Sequence, residues 1–261
     1  MATTTFTPSM LRGAGTRGIP EIPAGSSFSN LYSMAFDGVD EYMTTGLNLA
    51  FASVPNFSIS YWIKTDASLT NFASYFAIGI NVTYNSSAYN YSAGRLYKQA
   101  TKLVVSIQGS GTKQGTTQLD DGDWHHIMQV YTDNGNNTSR VRIYVDGNST
   151  PEVDLASTLS FAPLTSDLFI GARNASNDRA FPGNIDEVSV FNSDQSSNLS
   201  TIYNSGIPGD LSSLTPLDWW RQGENGTWDG SKWTLVDQGS GGNNAESNNM
   251  EEADRETDVP S

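Results

Sequence analysis

The chain has 261 residues, a formal net charge of −14 and no cysteine. Without cysteine there is no disulfide framework, no Cys-based metal site and no thiol nucleophile. The charge argues against a nucleic-acid binder that relies on phosphate contacts and against docking on anionic lipid. The length suffices to bury a core without staples, in one large β domain or two smaller ones.

Residues 1–28 read as an extended arm rich in Thr, Pro, Gly and Ser, slightly basic through Arg12 and Arg17. Pro8, Pro20 and Pro23 forbid a long helix or a central strand there. The arm is either a leader without fixed structure or a segment that orders against a neighbouring subunit. It lacks the apolar core of a signal peptide, and no apolar run approaches membrane-spanning length, so synthesis in a cytoplasm without export by the general route is expected. The Asn-x-Ser/Thr triplets, such as Asn148-Ser149-Thr150, then read as polar surface loops rather than glycan sites.

From residue 29 the pattern is that of short strands. Tyr32, Met34 and Phe36 alternate, Asp37-Gly38 turns, and Tyr42 begins a return strand. Phe57, Ile59, Tyr61 and Ile63 form one face of the next strand, with Ser58, Ser60, Trp62 and Lys64 opposite. Residues 76–80 form a short apolar strand. A polar loop carrying Tyr84, Tyr89, Tyr91 and Tyr97 follows, then a strand through Leu103, Val105 and Ile107. The most informative stretch is 120–147, two strands around a turn cluster. Trp124, His126, Met128 and Val130 share one face of the first strand. Val141, Ile143 and Val145 alternate with Arg140, Arg142 and Tyr144 in the second. One wet and one dry face are expected, with the turn at Asn134-Gly135. Strands at 168–171 and 185–191 follow. A single helix is predicted after Asp194, with Leu199, Ile202 and Tyr203 as its stripe and Gly206 as its stop. Residues 208–261 hold a Trp-rich hairpin, Trp228 to Trp233 around Asp229-Gly230, and an acidic tail. Such a segment is too small to fold alone and must pack on the sandwich or on another chain. The sum is an all-β sandwich of two antiparallel sheets with one short helix, its body at residues 29–207.

Several segments together carry a resemblance: YSMAFDGVDEYMTT (32–45), FSISYWIKTD (57–66), DGDWHHIMQVY (121–131), VRIYVDG (141–147), LFIGARN (168–174) and GNIDEVSVFN (183–192). In order and spacing they resemble the laminin-G-like jelly roll, the group related to concanavalin-A-like lectins and glucanases. The flanks, MLRGAGTRGIPEIPAGSSFSN and DWWRQGENGTWDGSKWTLVDQ through MEEADRETDVPS, resemble extensions on such domains in structural proteins of tailed phages. The resemblances imply a jelly-roll sandwich in a virion protein, as capsid decoration or as a tail or fibre component. Its partners would be other virion proteins and copies of itself, most simply in a trimer. The runner-up implication is a calcium-dependent carbohydrate-binding module, and the two combine in a virion protein that binds a host-surface glycan.

By the same resemblance, a calcium ion at one rim of the sandwich would match Asp37, Asp40 and Asp186, with backbone carbonyls of the Asp37–Tyr42 turn adding oxygens. The residues by themselves leave a second reading open. Asp37 and Asp40 are also turn formers, and Asp186, on the same face as Val188 and Val190 if the strand alternates regularly, can be satisfied by backbone N–H groups. Tyr89 and Tyr91 can stack on sugar rings or a partner protein, or simply anchor their loop. His125 and His126, on opposite faces, read as one surface and one core histidine, because a catalytic base needs a positioned partner. No alternating E-x-D-x-E strand, nucleophile elbow or phosphate-binding Gly loop is present, and adjacent Asp186 and Glu187 should point to opposite faces. No catalytic residue is assigned and a non-enzymatic protein is expected.

Overall fold

The computed structural model describes residues 28–50, 56–65, 74–75, 77–80, 82–84, 87–91, 95–97, 102–107, 111–136, 138–158, 165–176 and 179–261. The arm at 1–27 lies outside them. Two antiparallel sheets carry the architecture. The larger has eight strands. Seven run in the order Val153–Ser157, Thr138–Val145, Trp124–Gly135, Asn56–Lys64, Pro182–Phe191, Ser33–Asp37 and Arg255–Glu256, and Asp218–Trp220 pairs beside Pro182–Phe191. The second has six strands in the order Gly226–Trp228, Trp233–Leu235, Ala245–Asn248, Tyr42–Ala50, Thr165–Ile170 and Ile78–Ile80.

The alternating residues do what their period requires. Phe57, Ile59, Tyr61 and Ile63 are fully buried in the core between the sheets, where they meet Met43, Leu47, Leu168 and Ile170 from the opposite sheet. Phe57 stacks on Tyr131 with ring centroids 4.3 Å apart. At roughly 25 cal/mol per Å2 of apolar surface removed from water, this layer is the main source of stability.

The expectation of one wet face does not hold. The face of the Trp124–Gly135 strand that meets the other sheet carries Ile127 and Tyr131, opposite Val145 and Val141. The other face, with Met128 and Val130, is buried too. It joins Tyr144, Phe191, Leu199, Ile202, Leu211 and Trp219 in a second apolar cluster outside the sandwich. The helix Leu199–Tyr203 and residues from 208 onward cover it. The helix ends at Asn204 in the left-handed region, before Gly206. Asp194 holds the preceding turn by accepting hydrogen bonds from Ser196.

Other connections also differ. The first hairpin strand runs on to Gly135, with a register shift between Asp133 and Gly135, and Asn136 takes the positive φ of the turn. The stretch read as a Tyr-rich loop contains strands Val82–Tyr84, Ser87–Tyr91 and Arg95–Tyr97. Residues 208–261 supply strands to both sheets. Trp228 pairs with Trp233 across the expected hairpin, and Glu246 pairs with Thr44. Trp220 is fully buried, its indole N–H donating to the carbonyl of Asn243 at 2.6 Å.

Candidate functional site

The strand Pro182–Phe191 changes neighbour halfway along. Met34 pairs with Ile185, while Trp220 pairs with Val188. At the junction, Asp186 and Glu187 form a β-bulge. The register against Asn56–Lys64 shifts between Asp186 and Ser189, and Glu187 takes a φ of 47°. The extra residue overturns the regular alternation expected for this strand. Asp186 lies opposite Trp62, on the outer face of the sheet, while Val188 points into the core. Both acids are buried, at 0% and 3% exposure.

The segments leaving the two neighbouring strands close over them. The amide of Asn30 donates to Asp186 Oδ2 at 2.7 Å, and the Glu187 N–H donates to Asp186 Oδ1 at 2.7 Å. Glu187 accepts from Trp219 Nε1 at 2.6 Å and from Arg221 Nε at 2.9 Å. Glu224 Oε1 accepts from the N–H groups of Leu31 and Tyr32. Asp186, Glu187 and Glu224 each bring a carboxylate oxygen within 4.8 Å of the others. Burial, then the Glu187 charge, pushes the Asp186 carboxyl well up. Burial pushes Glu187 up to about 7, against the opposing pull of Arg221.

Three clustered carboxylates are costly unless protonated or neutralised. Glu224 Oε2 and Asn30 Oδ1 are buried and have no hydrogen-bond partner. With Asp186 they make an oxygen-only donor set that fits a hard divalent cation. Arg221 already neutralises Glu187, which leaves Asp186 and Glu224 to carry the cation's charge.

The acids of the Asp37–Tyr42 turn stand elsewhere. Asp37 pairs with Pro182, four residues before Asp186, roughly 13 Å away along the strand. Asp37 Oδ1 accepts from the N–H groups of Val39 and Asp40, and the Asp37 N–H donates to Glu41 at 2.6 Å. The carbonyl of Asp40 accepts from Asn249. The fold therefore brings Asp186 together with Glu187 and Glu224, not with Asp37 and Asp40. No local pattern marks Glu224, because only the strand order brings it to the bulge. Tyr89 and Tyr91 stand on the strand Ser87–Tyr91, and their side chains lie outside the described residues.

A second feature lies on the same outer face. An open cleft of about 490 Å3 is lined by Trp62, Trp124, Tyr203, Lys64, Asp123 and Asp258 among others. Tyr203 stacks on Trp62 at 5.6 Å. Gly147 admits the tyrosine, since a Cβ there would sit 2.2 Å from its ring. Asp258 is bound by two donors, Lys64 Nζ at 2.7 Å and Trp124 Nε1 at 2.9 Å. Burial works against its charge, but these two donors outweigh it and hold the carboxyl below its ordinary value. His126 sits behind the cleft against Trp62, its Nε2 2.8 Å from Ser60 Oγ, and burial pulls it down to about 4. His125 is also buried, at the rim between Asp121 and Asp146, and not on the surface.

Asp186 and Glu187 cannot flank a glycosidic bond, since both lie beneath the surface.

No protein of curated function matches the chain. Among solved structures, a candidate carbohydrate-binding protein from Bacteroides ovatus superposes with a TM-score of 0.54 at 16% identity, over 89% of this chain and 62% of its own. The chain thus spans less than two thirds of that protein's length. A heptameric pentraxin of Limulus polyphemus gives a TM-score of 0.43 at 14% identity, over 80% of this chain and 93% of its own. Tailspike protein 2 of an Escherichia coli O157:H7 bacteriophage gives 0.42 at 12% identity, over 73% and 26%. The family model described as the concanavalin A-like lectin/glucanases superfamily, of laminin-G type, matches residues 37–198, more than half of the sequence. With its two large antiparallel sheets and, among the described residues, one short α-helix, the chain belongs to that family.

Proposed function

We propose that this chain is a non-enzymatic, calcium-dependent saccharide-binding jelly roll that serves as a structural component of a tailed-phage particle, where it meets the host surface. The observation that carries the binding role is the aromatic cleft. Trp124 and Tyr203 are partly exposed and set beside Lys64 and the carboxylate of Asp123. Saccharides are held by an aromatic face against the C–H side of the ring and by fixed polar groups for the hydroxyls. Calcium at Asp186 and Glu224, with the Asn30 carbonyl, would tie residues 28–32 to residues 219–224 and stiffen the sheet that carries the cleft. The virion setting rests on the likeness of residues 10–30 and 218–261 to phage flanking segments, and includes assembly with copies of itself.

The test is calorimetric titration of the full chain with oligosaccharides from bacterial surface polysaccharide, in calcium and in EDTA. Binding that is lost in Trp124→Ala, with an unchanged fold by circular dichroism, supports the reading. Equal binding by Trp124→Ala, or release of new reducing ends during incubation, overturns it.

A further inference from the structure

The two donors that hold Asp258 point to the kind of saccharide the cleft takes. Lys64 Nζ and Trp124 Nε1 address different oxygens of one carboxylate, Oδ2 and Oδ1. A charged and a neutral donor aimed at one carboxylate make a two-pronged receptor, more selective than a lone cation. The donors come from adjacent strands, where Lys64 and Trp124 are direct cross-strand partners, so the sheet fixes their spacing. Their present occupant is held less firmly. Asp258 lies just past the two-residue strand Arg255–Glu256, at the edge of the eight-stranded sheet. Its side chain is 43% exposed. Its carbonyl accepts one hydrogen bond, from Ser33 Oγ.

We propose that the Lys64–Trp124 pair is a carboxylate receptor for an acidic saccharide, a uronate-bearing chain, and that Asp258 is an internal stand-in which the saccharide displaces. This rests on the saccharide-binding reading above. When the uronate carboxylate takes the place of Asp258, its ring comes to lie beside Trp124 and Tyr203, and Asp123 accepts from its hydroxyls. The chain's net charge of −14 slows the approach of an anion. Beyond about 8 Å at physiological salt that repulsion is screened, and the local Lys64 decides the contact. Displacement breaks an exposed ion pair, which is worth at most ~1 kcal/mol, so the internal competitor weakens saccharide binding by about fivefold.

The full chain, Asp258→Asn and Asp258→Ala are titrated with a galacturonic acid trisaccharide and with the neutral galactose trisaccharide. Asp258→Asn keeps the shape of the segment should Asp258→Ala loosen it. Both variants should bind the acidic trisaccharide about fivefold tighter than the unaltered chain, with no change for the neutral one. Adding Lys64→Ala should erase the gain. The proposal is overturned if the acidic trisaccharide gains nothing, if both trisaccharides gain equally, or if a Glu-Thr-Asp-Val peptide gains while the acidic sugar does not. If the neutral sugar binds through Trp124 and the acidic one shows no gain, only this inference falls. If no sugar binds any variant, the saccharide reading falls with it.

Discussion

Replacing Asp186 by Asn separates a cation site from a merely buried acid. The side chain is fully buried, and its Oδ1 accepts from the Glu187 N–H, which Asn can still do. At the other atom an amide N–H replaces an acceptor, and the unpartnered Asn30 Oδ1 can receive it once the Asn30 amide turns over. The substitution should leave the fold intact in EDTA. Asp186 and Glu187 both titrate above their ordinary range when folded. A carboxyl raised on folding contributes stability at low pH that is lost as pH rises through the folded value. For Glu187 that loss runs between 4.5 and about 7. In EDTA the unaltered chain should therefore lose stability over this window, and Asp186→Asn, which removes the other raised carboxyl, should lose less. Calcium reverses the balance because it binds the ionised form. With a Kd of ~10^-4 M, 10 mM calcium stabilises by ~2.7 kcal/mol, which raises Tm by about 5 to 10 °C for a chain of this size. Differential scanning calorimetry at pH 7.5 should show that rise in the unaltered chain and a rise under about 1 °C in Asp186→Asn. Equal shifts in both, or no shift in either, would refute the reasoning.

Two further outcomes are expected. Trp220→Ala empties a fully buried indole site and leaves the Asn243 carbonyl without its donor, costing ~3–5 kcal/mol. Urea unfolding should stay a single transition with a lower midpoint, whereas a separate transition for residues 208–261 would contradict their place in both sheets. His125 lies 2.8 Å from Asp146 and 3.1 Å from Asp121. Burial alone would lower it, yet the two carboxylates outweigh burial and raise it above 6.5. Its contribution to stability is complete below pH 6.5 and lost as pH rises through the raised value. Urea midpoints measured from pH 6 to 8.5 should fall less steeply in Asp146→Asn, and identical slopes would sink this assignment.

How much could be read before folding depends on the range of each interaction. Phe57, Ile59, Tyr61 and Ile63 announced a strand and its buried face because side chains alternate across a strand with a period of two. The hairpin around 120–147, the short helix and the Trp228–Trp233 pair were legible for the same local reason. Alternation reports that a face is buried, but not what covers it. The burial of Met128 and Val130 on the supposed wet face depended on Trp219 and Leu211, far away in sequence. The bulge at Glu187 follows from a change of neighbouring strand, from Ser33–Asp37 to Asp218–Trp220, which the residues around Glu187 do not encode. Asp37, Asp40 and Asp186 looked equivalent as acids next to turns or strands. Strand register set Asp37 roughly 13 Å from Asp186, while chain crossings brought Glu224 and Asn30 to Asp186. In the acidic tail, charge alone could not single out Asp258. The amino-acid sequence by itself determined the strands, their apolar faces and the family, because burial of alternate side chains is a local demand. Only the tertiary structure decided which carboxylates share a site and which fills the cleft, because like charges far apart in sequence are brought together by sheet order.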